Sequence, residues 1–130
     1  VNLGMHLLFE SRNDGAGDGT RCLGLLPGRL ESFHSCDCPS PNMGWHRLQP
    51  SRKHSLLSGL MPNERFYYIH REFIEPTPCT LATSTCWNTF SAVVADRNFM
   101  GVQFSPDKSG RAGSLVMQNF LRIVRRELPV

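Results

Sequence analysis

The side chains here most able to do chemistry are histidines and cysteines, and their densest grouping is His34-Ser-Cys36-Asp-Cys38, with imidazole and thiol at alternate positions. Imidazole nitrogen and thiolate sulfur are the donors of tetrahedral zinc sites, and His46 or His54 would complete a set of four. Strong zinc signatures pair their cysteines as Cys-x2–4-Cys, which this run does not, so ordinary loop thiols are expected and no metal is assigned. The other thiols are Cys22, Cys79 and Cys86. A nucleophilic thiolate needs a helix N-terminus or an adjacent base to lower its pKa. Cys22 and Cys86 lie in strand-like apolar segments that read as core, and Cys79 follows Pro78 in a loop, so none is expected to be a nucleophile. His70 sits in an aromatic, β-branched stretch, where a histidine is more often a satisfied core or interface residue than a catalyst.

Charge narrows the function classes. The 14 basic and 11 acidic side chains leave a net charge of +3, too small a surplus to indicate nucleic acid. The one local concentration, Arg122, Arg125 and Arg126, reads as a solvated helix face. The apolar and charged fractions, 40% and 19%, are those of an ordinary globular domain. No apolar run approaches the ~20 residues of a membrane-spanning helix. No charged segment followed by an apolar one opens the sequence. With an odd number of cysteines, this points to free thiols in a reducing, cytoplasmic setting.

These groups must be positioned by elements readable from periodicity and breakers. Leu3 to Phe9 reads as a short helix stopping near Glu10, and Ser11 to Gly19 as a glycine- and Asx-rich loop. Cys22 to Leu26 is a short apolar run closed by Pro27-Gly28. Arg29 to Phe33 and Asn42 to Leu48 are strand candidates separated by a loop, and Leu56, Leu57 and Leu60 suggest a helical turn. Phe66 to Ile74 reads as one strand, with Phe66, Tyr67 and Tyr68 as sheet core. Leu81 to Thr85 and Phe90 to Ala95 follow, the latter turning at Asp96-Arg97-Asn98 into Phe99 to Phe104 as a hairpin. Met117, Phe120, Leu121, Val124 and Leu128 recur at helical spacing, with Leu115 and Val116 extending that face. Asn119, Arg122, Arg125 and Arg126 fall opposite, and the capping candidates are Ser109-Gly110 and Gly113-Ser114. Strands in the middle and helices at both ends predict a layered α/β domain over residues 1–130, with no linker that would divide it.

Six segments, in order and spacing, resemble the glutaminase subunits of imidazole glycerol phosphate synthase, which are class I glutamine amidotransferases. Val1-Asn-Leu-Gly-Met-His-Leu-Leu-Phe-Glu10 is similar to the family's nucleophile segment G-[IV]-C-L-G-M-Q-L-L-F-E. Leu25-Leu-Pro-Gly-Arg29 falls on a similar apolar-glycine stretch. Asn42-Met-Gly-Trp-His46 resembles P-H-M-G-W-N, and Tyr67-Tyr-Ile-His70 resembles Y-F-V-H-S-Y. Gly101-Val-Gln-Phe-Ser-Pro-Asp-Lys-Ser-Gly110 resembles G-V-Q-F-H-P-E-K-S-G, and Gln118-Asn-Phe-Leu121 resembles the closing K-N-F-L. The resemblance covers essentially the whole sequence and leaves the family's N-terminal portion unmatched.

It implies the C-terminal part of a three-layer α/β domain, a mostly parallel sheet with helices on both faces. In that family a cysteine on a sharp strand-to-helix elbow attacks the glutamine carboxamide, a histidine moves protons and a glutamate orients the histidine. Here the matching positions hold Asn2, Ser105 and Asp107. An amide is not a nucleophile of that kind, and a serine hydroxyl does not titrate near neutrality. Asp107 keeps the charge of its counterpart with one methylene less reach. His6 replaces the family's glutamine near the substrate, and His70 falls on the strand histidine. The resemblance also implies a cyclase barrel subunit as partner, glutamine as ligand if its site survives, and no cofactor. By lineage the chain would supply ammonia to that cyclase in histidine biosynthesis; the substitutions lead us to expect that it cannot. The alternatives are a non-catalytic module docked on the barrel and a decayed gene remnant. Without the unmatched strands, apolar faces and sheet edges are expected at the surface.

Overall fold

The computed structural model of the chain describes residues 1–13, 19–33 and 40–130. The cluster His34 to Cys38 therefore lies outside the described residues. Helix α1 is a single turn, Leu3–His6. Eight short strands follow it: β1 (Ser11–Arg12), β2 (Thr20–Arg21), β3 (Arg29–Ser32), β4 (Asn42–Arg47), β5 (Gln49–Pro50), β6 (Arg65–His70), β7 (Glu72–Ile74) and β8 (Thr80–Cys86). Next come β9 (Asn88–Asp96), β10 (Phe99–Val102) and helix α2 (Gly110–Val124). One-turn 3₁₀ helices at Ser55–Leu57 and Pro106–Lys108 complete the order.

Among the described residues the strands form three sheets: β2-β1-β3-β7, β10-β9-β8-β5, and the pair β4-β6. The only parallel pair there is β1 with β3; every other pairing is antiparallel. The mixed α/β class expected from the sequence is present. The parallel arrangement implied by the resemblance rests, within these residues, on β1 and β3 alone.

Burial follows from the strand period. Residues Phe90 to Ala95 of β9 are all buried, because both faces of this strand are covered. Val93 faces the main core with Phe33, Phe66, Tyr68, Phe90, Phe104 and Val116, whereas Val94 faces a smaller core of Met5, Phe9, Leu26, Leu30 and Ile74. Aromatic packing dominates the first, with Phe66 and Phe104 ring centroids 4.1 Å apart and Phe33 and Phe73 4.6 Å apart.

Several sequence expectations change. Phe66 to Ile74 is not one strand: it breaks at Arg71, and the two halves enter different sheets. Tyr67 is half-buried on the opposite face from Phe66 and Tyr68. Cys22 lies outside any strand, and Cys22, Cys79 and Cys86 are partly exposed at the margins of the two cores.

The largest correction concerns α2. Its inward face is Ala112, Gly113, Val116, Asn119 and Ile123, while Met117, Phe120, Leu121 and Val124 are exposed. The helix carries two apolar stripes, and the outward one has the more regular spacing. Asn119 turns inward because its amide donates to the carbonyls of Leu56 (3.2 Å) and Ser58 (2.8 Å), satisfying the turn around the first 3₁₀ helix.

Candidate functional site

Asn2 caps α1 with φ 47° and ψ −110°. Positive φ is uncommon for a residue with a side chain, and a strained position of this kind costs about 1–3 kcal/mol. It is the backbone signature of an elbow that turns a strand sharply into a helix and projects one side chain from the bend. The surroundings hold it in place. Asn2 N–H donates to the Val102 carbonyl of β10 at 2.8 Å, and the Asn2 carbonyl accepts from His6 N–H at 3.0 Å.

The projected side chain is an amide whose both ends are occupied. Asn2 Nδ2 donates to the Ile69 carbonyl of β6 at 2.9 Å. That fixes Asn2 Oδ1 as acceptor, and Gln103 Nε2 donates to it at 2.9 Å. Gln103 Oε1 then accepts from His6 Nε2 at 2.6 Å. The chain runs one way, His6 to Gln103 to Asn2 to Ile69, because the final carbonyl can only accept. Burial lowers the pKa of His6, and the bond to Gln103 opposes that shift.

A second directed chain lies beside it. His70 Nδ1 donates to the Glu72 carbonyl at 2.7 Å, so its Nε2 accepts from Asn42 Nδ2 at 2.9 Å. Asn42 Oδ1 accepts in turn from His46 Nε2 at 2.9 Å. His70 is enclosed by Phe33, Tyr68 and Phe90, and burial pushes its pKa down to about 4. Both of its ring nitrogens are bonded within the protein.

Strand β6 also positions the other substituted residues. Ser105 N–H donates to the Tyr67 carbonyl at 2.9 Å, two residues along β6 from the Ile69 carbonyl that holds Asn2. Carbonyls two apart on a strand face the same side, separated by about 7 Å. Ser109 ties the next turn to the same edge: its Oγ accepts from Tyr67 N–H at 2.9 Å and donates to the Ser105 carbonyl at 2.6 Å. Asp107 lies on the 3₁₀ turn that follows, and with Val1, Pro106, Ser114 and Met117 it lines a cleft of about 460 Å³. The fold thus gathers Asn2, Ser105 and Asp107 from both ends of the chain to one edge of β6. A larger cleft of about 870 Å³, beside Arg52, Lys53 and His54, shares no residue with this region.

In the sequence Gln103 stood out only as part of the Gly101-to-Gly110 motif. The structure makes it the link between Asn2 and His6, and its signal was a buried amide amid the apolar residues Val102 and Phe104. Among the described residues there is no cluster of three or more groups able to hold a metal, and no helix long and apolar enough to cross a membrane.

An α/β fold with a strained elbow ahead of a helix, facing the Gly-Val-Gln-Phe segment at the end of β10 and its following turn, is consistent with a glutamine amidotransferase-type domain. No protein-family model matches the chain. Individual relatives do: over nearly its whole length the chain is similar to proteins named imidazole glycerol phosphate synthase subunit HisH. It is 38% identical to that of Shewanella sediminis over 130 residues, covering 98% of this chain and 59% of the relative. It is 36% identical to that of Vibrio cholerae over 126 residues, covering 95% and 62%. For Pasteurella multocida the figures are 35% over 125 residues, covering 96% and 62%. The chain thus spans about three fifths of the length of these relatives.

Proposed function

We propose that the chain is a HisH-type glutaminase subunit by lineage, associated with a cyclase barrel in the imidazole glycerol phosphate step of histidine biosynthesis, and that its elbow no longer hydrolyses glutamine. The observation that carries this reading is the Asn2 amide. It occupies the strained position from which a nucleophile would project, and both its ends are consumed by Gln103 and Ile69. No thiolate can form there, and Ser105 supplies no group that titrates near pH 7. Removing one member of a nucleophilic triad lowers turnover by about 10⁶-fold in a well-characterised hydrolase. With two members replaced, hydrolysis falls to what binding alone provides.

On this reading His6 and His70 act through the fold, holding the elbow and β6 in register, and Asp107 is a surface carboxylate without a histidine to orient. The module serves its partner by docking, in a cytoplasmic heterodimer, while ammonia comes from solution. The parallel, three-layer part of the domain belongs to the portion of the relatives that this chain does not span.

The test mixes the chain with the cyclase subunit and its nucleotide substrate. Glutamate release and co-elution are measured on the same samples. Co-elution without release is the expected result. Partner-dependent glutamate release would defeat the inactive reading, and a soluble, folded chain that neither binds nor hydrolyses would defeat the docking reading.

A further inference from the structure

The connection from β4 to β6, residues 48–64, folds back on itself and walls the cleft of about 870 Å³. Hydrogen bonds fix that wall from several directions. Leu48 N–H donates to the Glu64 carbonyl at 2.9 Å and closes the connection at its base. Ser51 N–H donates to the Leu81 carbonyl of β8 at 2.8 Å. Asn119 of α2 holds the carbonyls of Leu56 and Ser58. Gly59 and Asn63 turn the chain with φ of 78° and 63°. The cleft is thus held open by the protein's own bonds, and its volume falls in the range of small-molecule sites, about 300–1,000 Å³.

Its lining combines two kinds of side chain. Pro50, Leu57, Leu60, Met61 and Pro62 present apolar surface, with Met61 63% exposed. Arg52, Lys53 and His54 add three consecutive basic groups, and Ser51, Ser55 and Ser58 add hydroxyls. His54 Nδ1 accepts from Leu56 N–H at 3.1 Å, so in the neutral ring the hydrogen sits on Nε2 as a donor. Burial, and then the nearby Arg52 guanidinium, lower the pKa of that ring. Among the described residues that line the cleft, the one carboxylate side chain is Glu64, which Arg111 Nη2 already holds at 2.6 Å. Neither Arg52 nor Lys53 forms an ion pair among the described residues. The cleft therefore brings together unneutralised cations, a neutral donor and an apolar floor.

We infer that this cleft binds a small phosphomonoester whose other end is apolar or aromatic, of the size of a nucleoside monophosphate. Arg52 and Lys53 meet the phosphate oxygens, and His54 Nε2 donates a further hydrogen bond. Such charge-assisted bonds are roughly twice as strong as neutral ones. The planar end lies against Leu57, Leu60 and Met61, and the serine hydroxyls serve the polar middle of the ligand. A bare anion would leave the apolar residues unused, and an uncharged apolar ligand would leave the cations unused. The cleft shares no residue with the elbow, so this inference stands apart from any reading of glutamine hydrolysis.

The experiment titrates the 130-residue chain with AMP, adenosine and inorganic phosphate, read by NMR and calorimetry. The expected result is AMP binding with a Kd of about 1 mM or tighter. Resonances of His54, Leu57 and Met61 should shift, and those of Asn2 and Gln103 should not. Adenosine and inorganic phosphate should each bind more weakly by about tenfold or more. Arg52→Gln and Met61→Ser both change exposed side chains. The first should weaken AMP and inorganic phosphate alike, by about tenfold. The second should weaken AMP and leave inorganic phosphate unchanged. The proposal is overturned if a folded chain takes up no AMP in this range, or if Arg52→Gln leaves its affinity unaltered. Inorganic phosphate binding as tightly as AMP would also overturn it, by showing an adventitious ion only.

Discussion

Asn2 and Gln103, separated by nearly the whole chain, are joined by a 2.9 Å hydrogen bond from Gln103 Nε2 to Asn2 Oδ1. The residue standing at a nucleophile's position is thereby a structural tie between the elbow and the segment after β10. Asn2→Ala leaves Gln103 Nε2 and the Ile69 carbonyl unpaired in a partly buried setting. Each such orphan costs about 1–3 kcal/mol. Chemical denaturation should show a loss in that range, and glutamine hydrolysis should stay at background in both proteins. A variant as stable as the parent would show that the tie carries no energy.

Gly113 yields a second prediction. Alanine in place of glycine inside a helix ordinarily stabilises by about 1 kcal/mol. Here a Cβ at position 113 would sit 2.1 Å from the Pro106 carbonyl oxygen. The contact is with backbone, so no rotamer relieves it. Gly113→Ala should therefore destabilise by about 1–3 kcal/mol, as overpacking does. A rise in the thermal midpoint would contradict the close approach of α2 to the Pro106 turn.

The turn at Ser55–Leu57 depends on Asn119 from α2. Asn119→Ala removes two donors from carbonyls that no longer reach water freely, and we expect a loss of about 1–3 kcal/mol. Faster exchange at Leu57 and Ser58 should accompany it. If the loss is present but that exchange is unchanged, the effect is cavity formation rather than loss of the cap.

Acid sensitivity follows from His70, whose folded pKa is pushed down to about 4 by burial. The unfolded chain binds the proton near pH 6.5, earlier than the folded one. Stability from this group is present above pH 6.5 and is lost as pH falls from there toward 4. The size is about 3 kcal/mol. Burial lowers the pKa of His6 in the same direction. Urea midpoints measured from pH 7.5 to 4 should fall through this window and be flat above it. A His70→Gln variant should show a shallower slope.

Much of this was legible from the residue pattern. The elbow segment, the hairpin through Asp96-Arg97-Asn98 and the Gly101-to-Gly110 motif fell where the structure has them, because turn residues and aromatic strands are local signals. The face of α2 was misread. Helical periodicity identifies apolar stripes but not which one is buried, and here the weaker stripe, with small Ala112 and Gly113, faces the core because α2 must approach Pro106 closely. The break at Arg71 was missed because Phe66 to Ile74 is rich in strand formers throughout, and only pairing with two different sheets divides it. Both hydrogen-bond chains were out of reach, since each joins residues distant in sequence through the orientation of a side-chain amide.

The second of those chains links two titrating rings through one amide. His70 can take up a proton only at Nε2, the atom that now accepts from Asn42. An imidazolium there would donate, so the Asn42 carboxamide would have to rotate half a turn and present its oxygen to His70. Its nitrogen would then face His46 Nε2, which now donates, and His46 would have to move its own hydrogen to the other side of the ring. A proton arriving in the interior at His70 is therefore reported at His46, on the half-exposed side of β4, as a change of tautomer with no change of charge.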